Sequence, residues 1–237
     1  MDWLQFEDIL LSNHIHTLNN NSKKNIVFFG SCHMATIGYM VNKLLNYEYN
    51  IHIIISWFFE DKGIEKFDMK TINNRIQHLV SNCDVFIYHS HVCDYHVNAT
   101  TLPSLVNKQC LNLILPNYRL DYTTNDLKQF NQSFTILNYH ISSSSFPEFQ
   151  FVTDNYKDVM FFNTINHPTH YLLFLQSECV VNKILKNNQT ITIENYFDTK
   201  NRAYFKEFSY ITLPGRSIVN DEINKMTGIK KDADYFE

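Results

Sequence analysis

Four short apolar runs, separated by amphipathic stretches, constrain this chain most: Ile26–Phe29, Ile51–Ser56, Asp84–Tyr88 and Cys110–Leu115. Runs of strand length without polar alternation are expected for strands covered on both faces. Between them, apolar residues fall three and four apart, the spacing of one helix face. Ile37, Met40, Val41, Leu44 and Leu45 predict a helix over about Met34–Asn46, and Ile72, Ile76, Leu79 and Val80 a second over about Met69–Ser81. A shorter one is predicted near Leu102–Lys108. Regular β-α alternation with short connections predicts a doubly wound parallel sheet.

Beyond Asn117 the pattern loosens. Thr135–Tyr139 reads as a fifth strand, followed by a turn run over Ser142–Pro147. Helices are predicted over about Asp154–Phe162 and Pro168–Lys186, with Pro168 in a first turn where its missing N–H costs nothing. The expected fold class is α/β, a three-layer α/β/α sandwich with a parallel sheet of about five strands. One domain is expected over 1–237, with an N-terminal extension at 1–25 and a mixed C-terminal tail at 190–237. With 5 Gly and 5 Pro among 237 residues, long flexible linkers are not expected.

A formal charge of −4 argues against a general nucleic-acid binder. Five cysteines, an odd number spread along the chain, read as reduced thiols rather than a secreted disulfide framework. The first residues carry no basic-then-apolar leader, and no run approaches the roughly 18 apolar residues of a membrane span. A cytoplasmic protein without a membrane span is expected.

The first apolar run ends in Gly30-Ser31-Cys32-His33 and turns at once into a helical pattern. Open α/β sheets bind ligands outside the carboxyl ends of their strands. A thiol at a helix N-terminus meets free backbone N–H groups and the positive end of the dipole, so Cys32 is expected to have a depressed pKa. Cys32 reads either as a nucleophile or as a small residue packing the turn. Ser31 is its rival, as a nucleophile or as the helix cap. The loop His89-Ser90-His91-Val92-Cys93-Asp94-Tyr95-His96 follows the third run and is dense in metal-binding types. Its spacing matches no closed zinc site, so no metal is expected, and His89 and His91 read either as cleft-lining residues or as part of an ordinary polar loop. Pro116-Asn117-Tyr118-Arg119 follows the fourth run, where Arg119 reads as a fork for a phosphate or carboxylate, or as a surface ion pair. Arg216 is a weaker candidate of the same kind. Late in the chain, Asn163-Thr164-Ile165-Asn166-His167-Pro168 offers a histidine that reads either as a base acting from a distant sequence position or as a helix-start residue with a solvated ring.

The strand followed by Gly30-Ser31-Cys32-His33 and the late Asn166-His167-Pro168 together resemble the WcbI-like polysaccharide biosynthesis enzyme family. That family is similar to distant SGNH/GDSL hydrolases, with a cysteine at the place of the first-block serine. The resemblance implies an SGNH hydrolase-like fold over roughly residues 26–175, with Cys32 as nucleophile and His167 as the late histidine. It implies coenzyme A or acetyl-coenzyme A as acyl donor and a sugar or glycan as acceptor, with Ser31, His33, His89, His91, Asn117, Arg119 and Asn166 lining the site. The chain departs from the SGNH pattern at Thr164, where the orienting aspartate would stand, and in lacking a Gly-x-Asn-Asp block after the third run. An acyl- or acetyltransferase is the expected function. An esterase of the same fold and a non-catalytic glycan- or nucleotide-binding module are the alternatives.

Overall fold

The computed structural model describes residues 15–20, 24–55, 69–89, 102–118, 120–121, 124–159, 161–164, 167–187, 191–198 and 221–228. They group into two compact units. The first takes in Met1–Leu115 and Val180–Asn188, the second Pro116–Cys179 and Gln189–Glu237.

The first unit holds a five-stranded sheet. Its strands are β1 (Ile15–Leu18), β2 (Asn25–Gly30), β3 (Asn50–Ile55), β4 (Val85–His89) and β5 (Leu111–Leu115), in the spatial order β1-β3-β2-β4-β5. The pairs β2–β3, β2–β4 and β4–β5 are parallel, as the four apolar runs predict. Helix α1 (His33–Leu44) connects β2 to β3, α2 (Met69–Ser81) precedes β4, and α3 (Leu102–Leu105) precedes β5. The faces follow from strand alternation. On one, α1 lies so close that a Cβ at Gly38 would sit 2.9 Å from Ile53 Cδ1. On the other, Val27, Phe29, Ile54 and Phe86 form a core with Ile76 and Val80 of α2 and Leu102 of α3. Each fully buried side chain of this kind contributes about 1.5–3 kcal/mol over its exposed state. The sheet is thus mostly parallel with helices on both faces.

Helix α1 stops at Leu44, short of the expected Asn46, because a Schellman turn ends it. The Tyr47 N–H bonds to Asn42 O and the Asn46 N–H to Lys43 O, with Asn46 left-handed at φ 50°. Strand β1 pairs antiparallel with β3, Ile15 opposite Ile54 and Leu18 opposite Ile51. The fifth strand therefore comes from within the expected N-terminal extension and is not parallel.

In the second unit Thr135–Tyr139 is not a strand. It lies inside α4 (Leu127–Ser142), whose buried face is Phe130, Ser133, Leu137, His140 and Ile141. Asp126 caps α4 by accepting the Lys128 N–H at 2.8 Å. The expected 154–162 helix is replaced. A 3₁₀ turn (Pro147–Gln150) runs into α5 (Phe151–Asn155), and β6 (Phe162–Thr164) then pairs antiparallel with β7 (His167–Pro168). Pro168 is therefore a strand residue, and α6 (His170–Ile184) begins after it. Thr169 stands at the N-cap position and accepts the Leu172 N–H at 3.4 Å. Helices α7 (Ile193–Asp198) and α8 (Asp221–Thr227) lie within the expected tail. An aromatic core of Tyr118, Phe146, Phe149, Phe151, Phe161 and Phe162 packs in this unit largely edge to face. Among the described residues no helix is long and apolar enough to cross a membrane.

Candidate functional site

Strand β2 ends at Gly30 and α1 begins at His33, which leaves Ser31 and Cys32 as the turn at the carboxyl end of a central strand. The neighbouring strand β4 ends at His89, one step beyond the Phe29–Tyr88 pair. A Cβ at Gly30 would sit 2.7 Å from His89 Nδ1 and 3.0 Å from Met34 Cγ. Only glycine lets the His89 ring lie against the end of β2. The Ser31 backbone N–H then donates to His89 Nδ1 at 3.2 Å. An accepting nitrogen carries no proton, so the neutral His89 ring holds its proton on Nε2. The His33 ring meets the His89 ring edge to face, with centroids 5.9 Å apart and planes at 77°. Both histidines are buried.

Ser31 does not cap α1. The N-cap is Cys32, in helical geometry at φ −52° and ψ −28° and without a side-chain cap bond. Ser31 Oγ is buried and has no hydrogen-bond partner among the described residues. Cys32 is half-buried, and burial pushes its thiol pKa above the ordinary value. The backbone N–H groups of His33 and Cys32 reach the sulfur and pull the other way, but with less effect. The expected depressed pKa is thus corrected: partial burial outweighs the first-turn N–H groups.

The structure therefore brings Ser31, Cys32, His33 and His89 together at one sheet edge in the first unit. Asn117 is half-buried in the second unit, directly after Pro116. His167 also belongs to the second unit, where it pairs with Thr164 as the start of β7. His91, Arg119 and Asn166 lie outside the described residues, as do Cys93, Asp94, His96 and Arg216.

Among the buried polar groups of the second unit not singled out from the sequence are Tyr118 and Gln176. Tyr118 is fully buried against Phe149 and Phe162, and its hydroxyl has no hydrogen-bond partner among the described residues. Burial drives its pKa well above the ordinary phenol value. Neither amide atom of the buried Gln176 has a hydrogen-bond partner among the described residues. The position of Tyr118 just after a strand end was the one available signal.

The edge in the first unit offers a thiol, a hydroxyl, two imidazoles and backbone N–H groups. That set suits nucleophilic chemistry assisted by a base. Among the described residues no three histidine, cysteine, aspartate or glutamate groups converge as metal ligands. The flanks of the strand ends at Gly30, His89 and Leu115 carry no described lysine or arginine within three residues. The His89 ring lies against the end of β2. These flanks thus supply a thiol and backbone N–H groups suited to an acyl carbon and, among their described residues, no cation for a phosphate. A scan against protein-family models found no match for this chain, and a search of curated proteins found none.

Proposed function

We propose that this chain is an acyl- or acetyltransferase acting on a sugar or glycan, with Cys32 as nucleophile and His167 as general base. One observation carries the proposal. Cys32 is the N-cap of α1 at the carboxyl end of β2, its sulfur near the Cys32 and His33 N–H groups that favour its thiolate, and it adjoins the paired rings of His33 and His89. Because burial holds Cys32 as a thiol, a base must take its proton as the sulfur attacks. In the first step the Cys32 proton passes to the His167 imidazole, the sulfur–carbon bond forms, the bond from the acyl carbon to the donor's leaving group breaks, and that group takes the proton from His167. In the second, a sugar hydroxyl attacks the Cys32 thioester and gives its proton to the base, the carbon–sulfur bond breaks, and the base returns the proton to the Cys32 sulfur. The N–H groups at the start of α1 stabilise the oxyanion in both steps. Coenzyme A is the donor carrier that the resemblance implies, with Arg119 and His91 as its contacts beyond the described residues and Asn117 among the described ones.

The test is acyl labelling of the full chain by acetyl-coenzyme A or p-nitrophenyl acetate, read by peptide mass mapping. An acetyl group on Cys32, lost in Cys32→Ala and formed at least about 100-fold more slowly in His167→Ala, is expected. Labelling on Ser31 that survives Cys32→Ala would move the nucleophile by one residue. A thermal shift by millimolar coenzyme A is expected, since a ligand at 100 times its dissociation constant adds about 2.7 kcal/mol of stability. No shift would remove it as donor.

The raised Cys32 pKa favours one second reading, a binding module that kept the fold without the chemistry. On that reading the thiol stays unlabelled by every acyl donor.

A further inference from the structure

The sulfur pair Cys83 and Cys110 stands at the opposite, amino-terminal edge of the same sheet. Cys83 lies two residues before β4, and Cys110 immediately before β5. Their strands are parallel neighbours, Val85 opposite Leu111, and the Leu111 N–H bonds to Asp84 O at 2.9 Å. The two Sγ atoms are 3.6 Å apart. Nothing in the sequence spacing, 27 residues, announces this pair. Among the described residues no third metal-binding group joins it, which sets it apart from a zinc site.

The two thiols are unequal. Cys83 is buried and its S–H reaches Val80 O at 3.2 Å. Cys110 is half-buried, its S–H reaches Leu111 O at 3.6 Å, and the nearby Phe86 backbone N–H favours its thiolate. One sulfur is open to a small reagent, and the other waits behind it within contact.

We propose that Cys83 and Cys110 form a peroxide-oxidisable dithiol, in which Cys110 is the reacting sulfur and Cys83 the resolving one. The Cys110 thiolate attacks one oxygen of hydrogen peroxide, the O–O bond breaks, and hydroxide leaves, giving a sulfenic acid. The Cys83 sulfur attacks the Cys110 sulfur, the S–O bond breaks, and the hydroxyl leaves as water with the Cys83 proton. The peroxide is reduced by two electrons and the pair of thiols is oxidised by two. The product is a disulfide joining the starts of β4 and β5. Contact distance, an ordered partner strand and a buried resolving thiol favour this outcome over further oxidation. When the Cys83 S–H turns from Val80 O to the Cys110 sulfur, 3.6 Å away, it lowers the Cys110 pKa and raises its thiolate fraction.

The test is hydrogen peroxide titration of the full folded chain, followed by blocking of free thiols, digestion and peptide mass mapping. A Cys83–Cys110 linked peptide is expected, lighter by about 2 Da for the two hydrogens lost, and reversible by dithiothreitol. It persists in Cys32→Ala, so the outcome is independent of the acyl-transfer reading. In Cys83→Ala the sulfenic acid on Cys110 is expected to persist and to be trapped by dimedone. In Cys110→Ala the Cys83 thiol is expected to resist peroxide. Sulfinic acid on Cys110 of the unsubstituted chain without any linked peptide overturns the proposal. So does a linked peptide that forms only after urea unfolding, or preferential oxidation of Cys83 in Cys110→Ala.

Discussion

The two ends of the sheet treat their polar side chains in opposite ways. At the amino edge, Thr17, Asn25, Asn50 and His52 form a closed chain. Thr17 Oγ1 meets His52 Nδ1 at 3.0 Å, and Asn25 Oδ1 accepts from Asn50 Nδ2 at 3.0 Å and faces His52 Nε2 at 3.4 Å. Asp84 closes the same corner by accepting the Asn25 N–H at 2.7 Å. At the carboxyl edge, His89 takes a backbone N–H and leaves Ser31 Oγ buried without a hydrogen-bond partner among the described residues. Buried histidine alone therefore does not mark a site. His52 has both ring nitrogens answered by side chains of its own sheet, which is what a structural histidine needs. The carboxyl edge keeps, among the described residues, a hydroxyl without a hydrogen-bond partner beside a half-buried thiol.

The sharpest way to break this contrast is Gly30→Ala. Its methyl group must displace His89, so we expect a loss of about 1–3 kcal/mol in urea unfolding. Acyl labelling of Cys32 should fall as well, because the Ser31–His89 bond goes with the ring. Full labelling in a destabilised Gly30→Ala chain would show that His89 only packs. Asn25→Ala tests the other edge. It leaves the buried Asn50 and His52 donors without their acceptor, at a cost of about 1–3 kcal/mol, while labelling per folded molecule stays unchanged.

A smaller effect follows from pH. Burial, and then the nearby Arg75 charge, lower the His52 pKa below its ordinary 6.5, and burial lowers that of His16. The unfolded chain takes up these protons near pH 6.5 and the folded chain only at lower pH. Their contribution is complete above pH 6.5 and is lost as pH falls from there through the folded values. Denaturant midpoints measured from pH 7.5 to 5 should fall, and His52→Gln should flatten the slope. The smallest expected effect is that of Ser31→Ala. Removing a buried hydroxyl without a hydrogen-bond partner should change stability by less than about 0.5 kcal/mol, or raise it slightly. A loss well beyond that would show that Ser31 Oγ has a partner after all.

The central strands and α1 and α2 were legible because their burial is two-sided or one-faced, and each leaves a distinct spacing of apolar residues. Strand β1 was not, since Ile15-His16-Thr17-Leu18 is short and half polar, as an edge strand is. Thr135–Tyr139 misled for a definite reason. Phe134, Thr135, Ile136 and Tyr139 favour strands, but the burial of Phe130, Leu137 and Ile141 and the Asp126 cap decide for helix. Tertiary burial outweighs strand preference there. Pro168 fits a first helical turn equally well as a strand end, and only its pairing with Phe162 settles which. At the site, the chain order of Gly30, Ser31, Cys32 and His33 was enough to place the turn. The sign of the Cys32 pKa shift depends on how much of the sulfur is covered, which no spacing encodes.

Strand β1 has a practical consequence for anyone shortening this protein. It is the only described strand beside β3 on that side, and β3 reads Asn50-Ile51-His52-Ile53-Ile54-Ile55. A chain begun at residue 24 would bare the hydrogen-bonding edge of an isoleucine-rich strand with no gatekeeping charge within it. Such an edge recruits another copy of itself. The shortened chain should therefore pass into concentration-dependent aggregates, although every residue of the four parallel strands is still present.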